Sequence, residues 1–234
     1  MNIGDSYNRI SLNLSEIFYS IQGESTYAGL PCIFIRLAGC NLRCSYCDTR
    51  YAYTTRFSLT VKQILARIKK YSPVQLVEVT GGEPLIQEGS YTLLQALISQ
   101  KNLQTASHTI LLETNGSILL DRVPAEVIKI VDIKTPGSGM ADKMVWQNIS
   151  LLNRNDEIKF VITDKTDFDW ALEKIDKYKL LRFHVLFSPS YENLSLATLA
   201  TWILKAKIPV RLQPQLHKII SYNDDERKNN NYIK

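Results

Sequence analysis

Histidine and cysteine are scarce in this sequence, and the little that is present is unevenly placed. Among 234 residues there are three histidines, His108, His184 and His217, far apart, and four cysteines. Only one C-x2-C pair occurs, Cys44 and Cys47, so the two separated ligand pairs of a closed structural zinc site are missing. Three of the four cysteines crowd into eight residues, and Met1 to Tyr7 lacks the basic and apolar regions of a signal peptide. Both features argue against a disulfide framework and for a cytoplasmic protein with free thiols. No run of about 18 apolar residues occurs, so no membrane span is expected. Charge of one sign is not in large excess either. The net +5 reads as a mixed, solvated surface that could dock an acidic partner, and no nucleic-acid partner is expected. Nor is there an internal repeat. An apolar content of 45% fits one globular domain over residues 1–218, followed by a polar, asparagine-rich tail over 219–234.

What is present centres on Cys40-Asn41-Leu42-Arg43-Cys44-Ser45-Tyr46-Cys47, which follows an apolar strand-like run, Cys32 to Ala38. Segments of three and two residues span at most about 10–14 Å and 7–11 Å, so the three sulfurs can fold back around one inorganic centre. Three thiolates leave a tetrahedral metal, or a cuboidal 4Fe-4S cluster, one position short, and short-spaced thiolates suit the cluster. The fourth cysteine, Cys32, lies mid-strand and reads as a small buried hydrophobe.

The remaining chain alternates strands with helices. Strands are expected near 32–38, 76–80, 109–113, 127–134, 157–162 and 183–187, with an extended lead-in over 12–21 and a last extended piece over 210–216. Helices are expected from Ser58, as N-cap, to Tyr71, then over 91–100, 167–178 and 194–206, with a short one over 144–152. This α/β pattern implies a parallel sheet. About six units fall short of the eight that close a full barrel, so the expected fold is a partial, open TIM-like barrel with helices outside. Its functional rim is the set of strand C-termini, where Cys40, Gly81-Gly82, Thr114-Asn115 and Lys134 all fall. Along the first core strand, Ile33, Ile35 and Leu37 alternate with Phe34, Arg36 and Ala38, which sets Arg36 on the interior face. A buried guanidinium there needs an anionic partner, and carboxylate recognition suits it.

These residues carry a family resemblance. Cys40, Cys44 and Cys47 resemble the C-x3-C-x2-C signature of radical S-adenosylmethionine (SAM) enzymes, and Thr80-Gly81-Gly82-Glu83-Pro84 resembles their glycine-rich SAM motif. Tyr19-Ser20-Ile21-Gln22-Gly23-Glu24 and Cys47-Asp48-Thr49 are similar to the 7-carboxy-7-deazaguanine synthase family, over about residues 17–218. The resemblance implies a catalytic 4Fe-4S cluster on Cys40, Cys44 and Cys47. It implies SAM beside Tyr46, Cys47, Asp48 and Gly82, and beside Asp132, Ile133 and Lys134, where the family often has Ser-Pro-Lys. Magnesium on Thr49 and a pterin substrate at Ile21, Gln22, Gly23, Arg36 and Thr80 are implied too. Ser25 stands where the family commonly has glycine. A flavodoxin- or ferredoxin-type electron donor and a homodimer follow from the same resemblance. Two alternatives stay open on the residues alone: a glycyl-radical activating enzyme, which shares the cysteine signature, and a zinc-binding adaptor.

Overall fold

The computed structural model describes residues 7–103 and 109–220, without the side chains of 101–103. Nine strands make one sheet: β1 (Ser11–Ile21), β2 (Pro31–Leu37), β3 (Phe57–Thr60), β4 (Leu76–Gly81), β5 (Thr109–Thr114), β6 (Ile128–Ile133), β7 (Glu157–Ile162), β8 (His184–Pro189) and β9 (Arg211–Leu212). Their order is β3-β1-β2-β4-β5-β6-β7-β8-β9. From β2 to β9 each neighbouring pair is parallel, while β1 runs antiparallel to both β2 and β3. The end strands do not pair with each other, so the barrel is open, as expected. The helices are α1 (Val61–Lys69), α2 (Gly89–Leu103), α3 (Lys165–Tyr178), α4 (Leu196–Ala206) and α5 (Leu216–Ile220).

All six expected core strands are present, and five expectations change. The lead-in is a full strand, because its alternate residues Leu12 and Leu14 are buried. The helix expected from Ser58 begins later. Residues 57–60 pair with β1, and Thr60 is the cap: its Oγ1 accepts from Gln63 N at 3.2 Å while its own N donates to Gln63 Oε1 at 2.8 Å. The short helix expected over 144–152 is a 3-10 turn, Trp146–Leu151. There Asn148 is engaged by the 116–120 loop, accepting from Leu120 N and donating to the carbonyls of Gly116 and Ile118. The last extended piece yields only β9, since Pro214 has no N–H to continue a ladder and α5 follows at once. Of the tail expected from 219, residues 219 and 220 belong to α5, and the rest lies outside the described residues.

Period-two alternation divides the strands into two faces. Ile33, Ile35, Val77, Val79, Phe160 and Phe187 point outward and pack under the helices in the main core, each fully buried side chain being worth about 1.5–3 kcal/mol. Inward, Cys32, Phe34, Leu76, Leu111 and Ile130 form a small apolar layer. One or two steps further toward the strand C-termini, the inward positions become Arg36, Glu78, Thr80, Glu113, Asp132 and Lys159. Apolar floor and charged upper layer are thus written in the same strands. Replacing Thr60 by alanine removes the Oγ1 half of the capping box and keeps the backbone N–H donated to Gln63 Oε1; the expected cost is about 1 kcal/mol, read as a lower urea midpoint with an unchanged slope.

Candidate active site

One cavity of about 850 Å³ opens at the strand C-termini, and the cysteine loop, the Gln22-Gly23-Glu24 turn and the charged layer all line it. The cysteine loop is anchored from several sides. Gly39 N donates to Ala52 O at 2.8 Å, Ser45 N to Ser138 O at 3.0 Å, and the Arg43 guanidinium to the carbonyls of Cys40 and Leu42. Cys40, Cys44 and Cys47 are free thiols, half-buried, and all face the cavity. Burial pushes the Cys40 and Cys44 thiols up, and the nearby Lys134 ammonium works the other way. The Cys40 sulfur accepts from Leu42 N at 3.4 Å and from Asn115 Nδ2 at 3.9 Å. Cys32, by contrast, is fully buried in the apolar floor, as expected of a packing residue.

The donor set fits an iron–sulfur cluster better than a single ion. Among the described residues, no group of three or more His, Cys, Asp or Glu side chains is placed to hold one metal ion. A cube distributes its three thiolates over three irons and needs no such convergence. N–H donors on a ligand sulfur are among the contacts that tune such clusters.

The diglycine has a cause inside the protein. A Cβ on Gly82 would stand 2.4 Å from Gly39 O and 2.7 Å from Cys40 Cβ, and one on Gly81 would stand 2.3 Å from Leu37 O. The missing side chains therefore first let β4 cross the end of β2 beneath the cysteine loop. Glu83 completes the join. Fully buried, it accepts from Leu85 N, Asn115 N and Thr114 Oγ1, and burial raises its carboxyl to about 7 despite those donors.

On the cofactor side, Asp132 and Lys134 line the cavity as an ion pair at 2.8 Å. Lys134 is raised above its ordinary value: burial acts against its charge, and Asp132, Tyr46 and Cys44 together more than offset it. Asp132 Oδ1 is buried with no hydrogen-bond partner among the described residues, an acceptor suited to a ligand donor. Ile133 alternates to the other face and packs in the core, so its side chain does not reach the cavity. Tyr46, Asp48 and Gly82 line the cavity with the cysteines.

On the opposite side, Ile21, Gln22, Gly23, Arg36 and Thr80 also line the cavity. Their polar groups are already engaged within the protein. Gln22 Nε2 donates to Glu78, and Gln22 Oε1 accepts from Glu24 N at 3.0 Å, so this amide is held in place with one N–H and one lone pair left over. Arg36 has its anionic partner in Glu16, at 2.8 Å. Thr80 donates to Glu113 at 2.9 Å. Thr49 lines the cavity and donates to Asp48 at 2.9 Å, while Asp48 pairs with Lys218 at 2.9 Å. Burial opposes the Asp48 charge, and the Lys218 and Thr49 contacts together lower its carboxyl to about 2. Gly23 is crowded by the C-terminal strap, where its Cβ would stand 2.5 Å from His217 Nδ1. Gln215, without an assigned role in the sequence, reaches Glu24 at 2.9 Å. Ser25 adopts φ +66°, the left-handed region that favours glycine, and its Oγ accepts from Tyr27 N at 3.1 Å.

Glu24, Glu78, Glu113 and Lys159 are functional candidates that the sequence reading did not single out. Their signal was charge at inward positions of otherwise apolar strands, or, for Glu24, its place in the loop after β1. A test of the strand-end geometry is Gly82→Ala. Overpacking against backbone costs about 1–3 kcal/mol, and the displaced Cys40 should lower iron and sulfide bound per chain after anaerobic reconstitution.

The radical SAM superfamily profile matches residues 34–191. The chain is 43% identical over 220 residues to the 7-carboxy-7-deazaguanine synthase of Chlorobaculum tepidum, covering 92% of this chain and 96% of that one. It is 38% identical over 223 residues to the synthase of the same name from Koribacter versatilis, with 89% and 96% covered. QueE from Escherichia coli has the same fold, with a TM-score of 0.73 at 21% identity over 93% of this chain and 99% of that one. With its signature thiols gathered on one strand-end cavity, this chain belongs to the radical SAM superfamily and, within it, to the family of the 7-carboxy-7-deazaguanine synthases.

Proposed function

We propose that this protein is a radical SAM lyase converting 6-carboxy-5,6,7,8-tetrahydropterin to 7-carboxy-7-deazaguanine and ammonia, in the biosynthesis of 7-deazapurines of the queuosine type. One observation carries the reading: three free thiols and a desolvated layer of carboxylates and cations line the same cavity. A volume of about 850 Å³ supports a cofactor and a substrate side by side. A glycyl-radical activator has no need of the Gln22-Gly23-Glu24 turn, and a zinc adaptor has no need of the cavity.

Cys40, Cys44 and Cys47 would hold the 4Fe-4S cluster, and Tyr46, Asp48, Gly82, Asp132 and Lys134 would border SAM, with Ile133 contributing backbone only. When bound, cluster and SAM together supply a carbon radical able to remove a hydrogen atom. The chain's residues orient the pterin and exclude water around it. Arg36, on the inner face beside Thr80, offers its remaining guanidinium donors to an anionic substituent. The strap over 215–218, clamped to Gly23, Glu24 and Asp48, narrows the mouth of the cavity.

Thr49 would add a hydroxyl ligand for magnesium. That ion binds few protein oxygens and retains water and substrate oxygens, so Thr49 together with the substrate carboxylate suffices. Residence in the cytoplasm, where thiols stay reduced, belongs to the same proposal; no helix of the described residues is long and apolar enough to cross a membrane. A homodimer, the division into domain 1–218 and tail, and an acidic flavodoxin- or ferredoxin-type donor also belong to it. Arg43, exposed beside the cysteine loop, is suited to meeting such a donor.

Anaerobically reconstituted protein should be brown. Given reductant, SAM, magnesium and the pterin, it should release product and ammonia in equal amounts. A reconstituted, SAM-binding protein that leaves the pterin unchanged would overturn the assignment. Thr49→Ala should raise the magnesium concentration needed for half-maximal rate by about tenfold or more, with SAM binding unchanged.

A further inference from the structure

Lys159, on β7, sits where three elements meet. Its ammonium is 2.7 Å from Glu24 Oε2, in the turn after β1, and 2.6 Å from Glu113 Oε1, at the end of β5. It is 3.5 Å from Asp132 Oδ2, at the end of β6, and Asp132 in turn holds Lys134. Lys159 is 5% exposed and lines the cavity with its three partners. The other oxygens of its two closest partners are also supported, Glu24 Oε1 by Gln215 and Glu113 Oε2 by Thr80. A carboxylate has about four lone-pair sites, so each keeps acceptor capacity beyond these contacts. A wall of supported carboxylates suits a ligand rich in N–H donors, which a reduced pterin is.

Two carboxylates spanned by one ammonium lie close enough to repel, and without the cation one of them would keep a proton. We propose that Lys159 is a positioning residue: it holds Glu24 and Glu113 side by side as acceptors for the pterin's N–H groups, in fixed relation to the Asp132–Lys134 pair on the SAM side. The role rests on the pterin being the substrate.

The charged groups facing Glu113 are Arg36 from β2, Glu78 from β4, Asp132 and Lys134 from β6, Lys159 from β7, and Glu24 from the turn after β1. Burial pushes the Glu113 carboxyl up, and Lys159, Thr80 and Arg36 together bring it down to about 2. Glu78, buried beside Glu113, is driven well above the usual carboxylate range, by burial first and by the Glu113 charge second. Removal of Lys159 leaves burial opposed only by the Thr80 hydrogen bond and the Arg36 charge, so the Glu113 proton is retained to higher pH.

The test is anaerobic calorimetric titration of the pterin into cluster-loaded, SAM-bound enzyme, from about pH 6 to about pH 9. In the wild type, the pterin's affinity should carry no acid-side loss from Glu113 across this range. Lys159→Met should weaken the pterin about tenfold or more at the acid end, recover as pH rises, and leave SAM affinity within about twofold. Lys159→Arg should restore much of the loss. A second arm needs no ligand: infrared titration of Lys159→Met should show one protonated carboxyl near neutral pH more than the wild type has, beyond Glu78 and Glu83, and that additional band should be lost in Lys159→Met with Glu113→Gln. A loss independent of pH, an equal loss of SAM affinity, or no new carboxyl band overturns the role. Wild-type enzyme that binds SAM but neither binds nor converts the pterin overturns the substrate assignment, and the infrared arm then shows separately whether Lys159 holds the charge state of Glu113.

Discussion

One buried ammonium among three carboxylates is the constraint around which the cavity is built. Lys159 has given up its water, and among the described residues Glu24, Glu113 and Asp132 compensate. They come from a turn, from β5 and from β6, so each of those elements must hold its place for the charge to be satisfied. A purely apolar layer of the same volume would often be as stable or more so. The strands already supply such a layer one step below, at Phe34, Leu111 and Ile130. That the upper layer is charged instead follows from its position at the strand C-termini, where parallel α/β sheets place their ligands.

The cysteine loop depends on a different kind of contact, close backbone packing. β4 can cross β2 only because Gly81 and Gly82 carry no side chains, and Glu83 then draws the end of β5 into the same joint through Thr114 and Asn115. Asn115 in turn reaches the Cys40 sulfur. The motif that the sequence presents as a cofactor loop is thus a structural splice as well, holding the first thiol against three strand ends. Burial pushes the Cys40 and Cys44 thiols up, so loading a cluster displaces protons there as it adds charge.

Closure of the cavity falls to segments distant in the chain. Gln215 and Leu216 bond to Glu24 and Gly23, across about 190 residues of sequence, and Lys218 pairs with Asp48 beside the cysteine loop. Ser25 occupies a left-handed conformation in the turn that receives this strap, and its hydroxyl supports the turn by accepting from Tyr27 N. The turn after β1 and the cysteine loop are therefore joined at the rim as well as through the charged layer.

Local chemistry made several features readable in advance. The thiol spacing, the apolar alternation of the core strands and the turn residues between them are short-range patterns, and they led to the cysteine loop, the open barrel and the rim. Arg36 was placed on the inner face by period two alone. Other features depend on which strands become neighbours, which no local pattern encodes. Glu113 and Lys159 are 46 residues apart and meet only because β5, β6 and β7 are adjacent. Arg36 found Glu16 because β1 turns back antiparallel on β2, and Ile133 turned away from the cavity that Asp132 and Lys134 face. The sequence by itself determined the donor atoms and the period of each strand, because both are set within a few bonds along the chain. Tertiary structure alone decided which buried charges face one another, because desolvated ion pairs are chosen by strand order and not by distance in sequence.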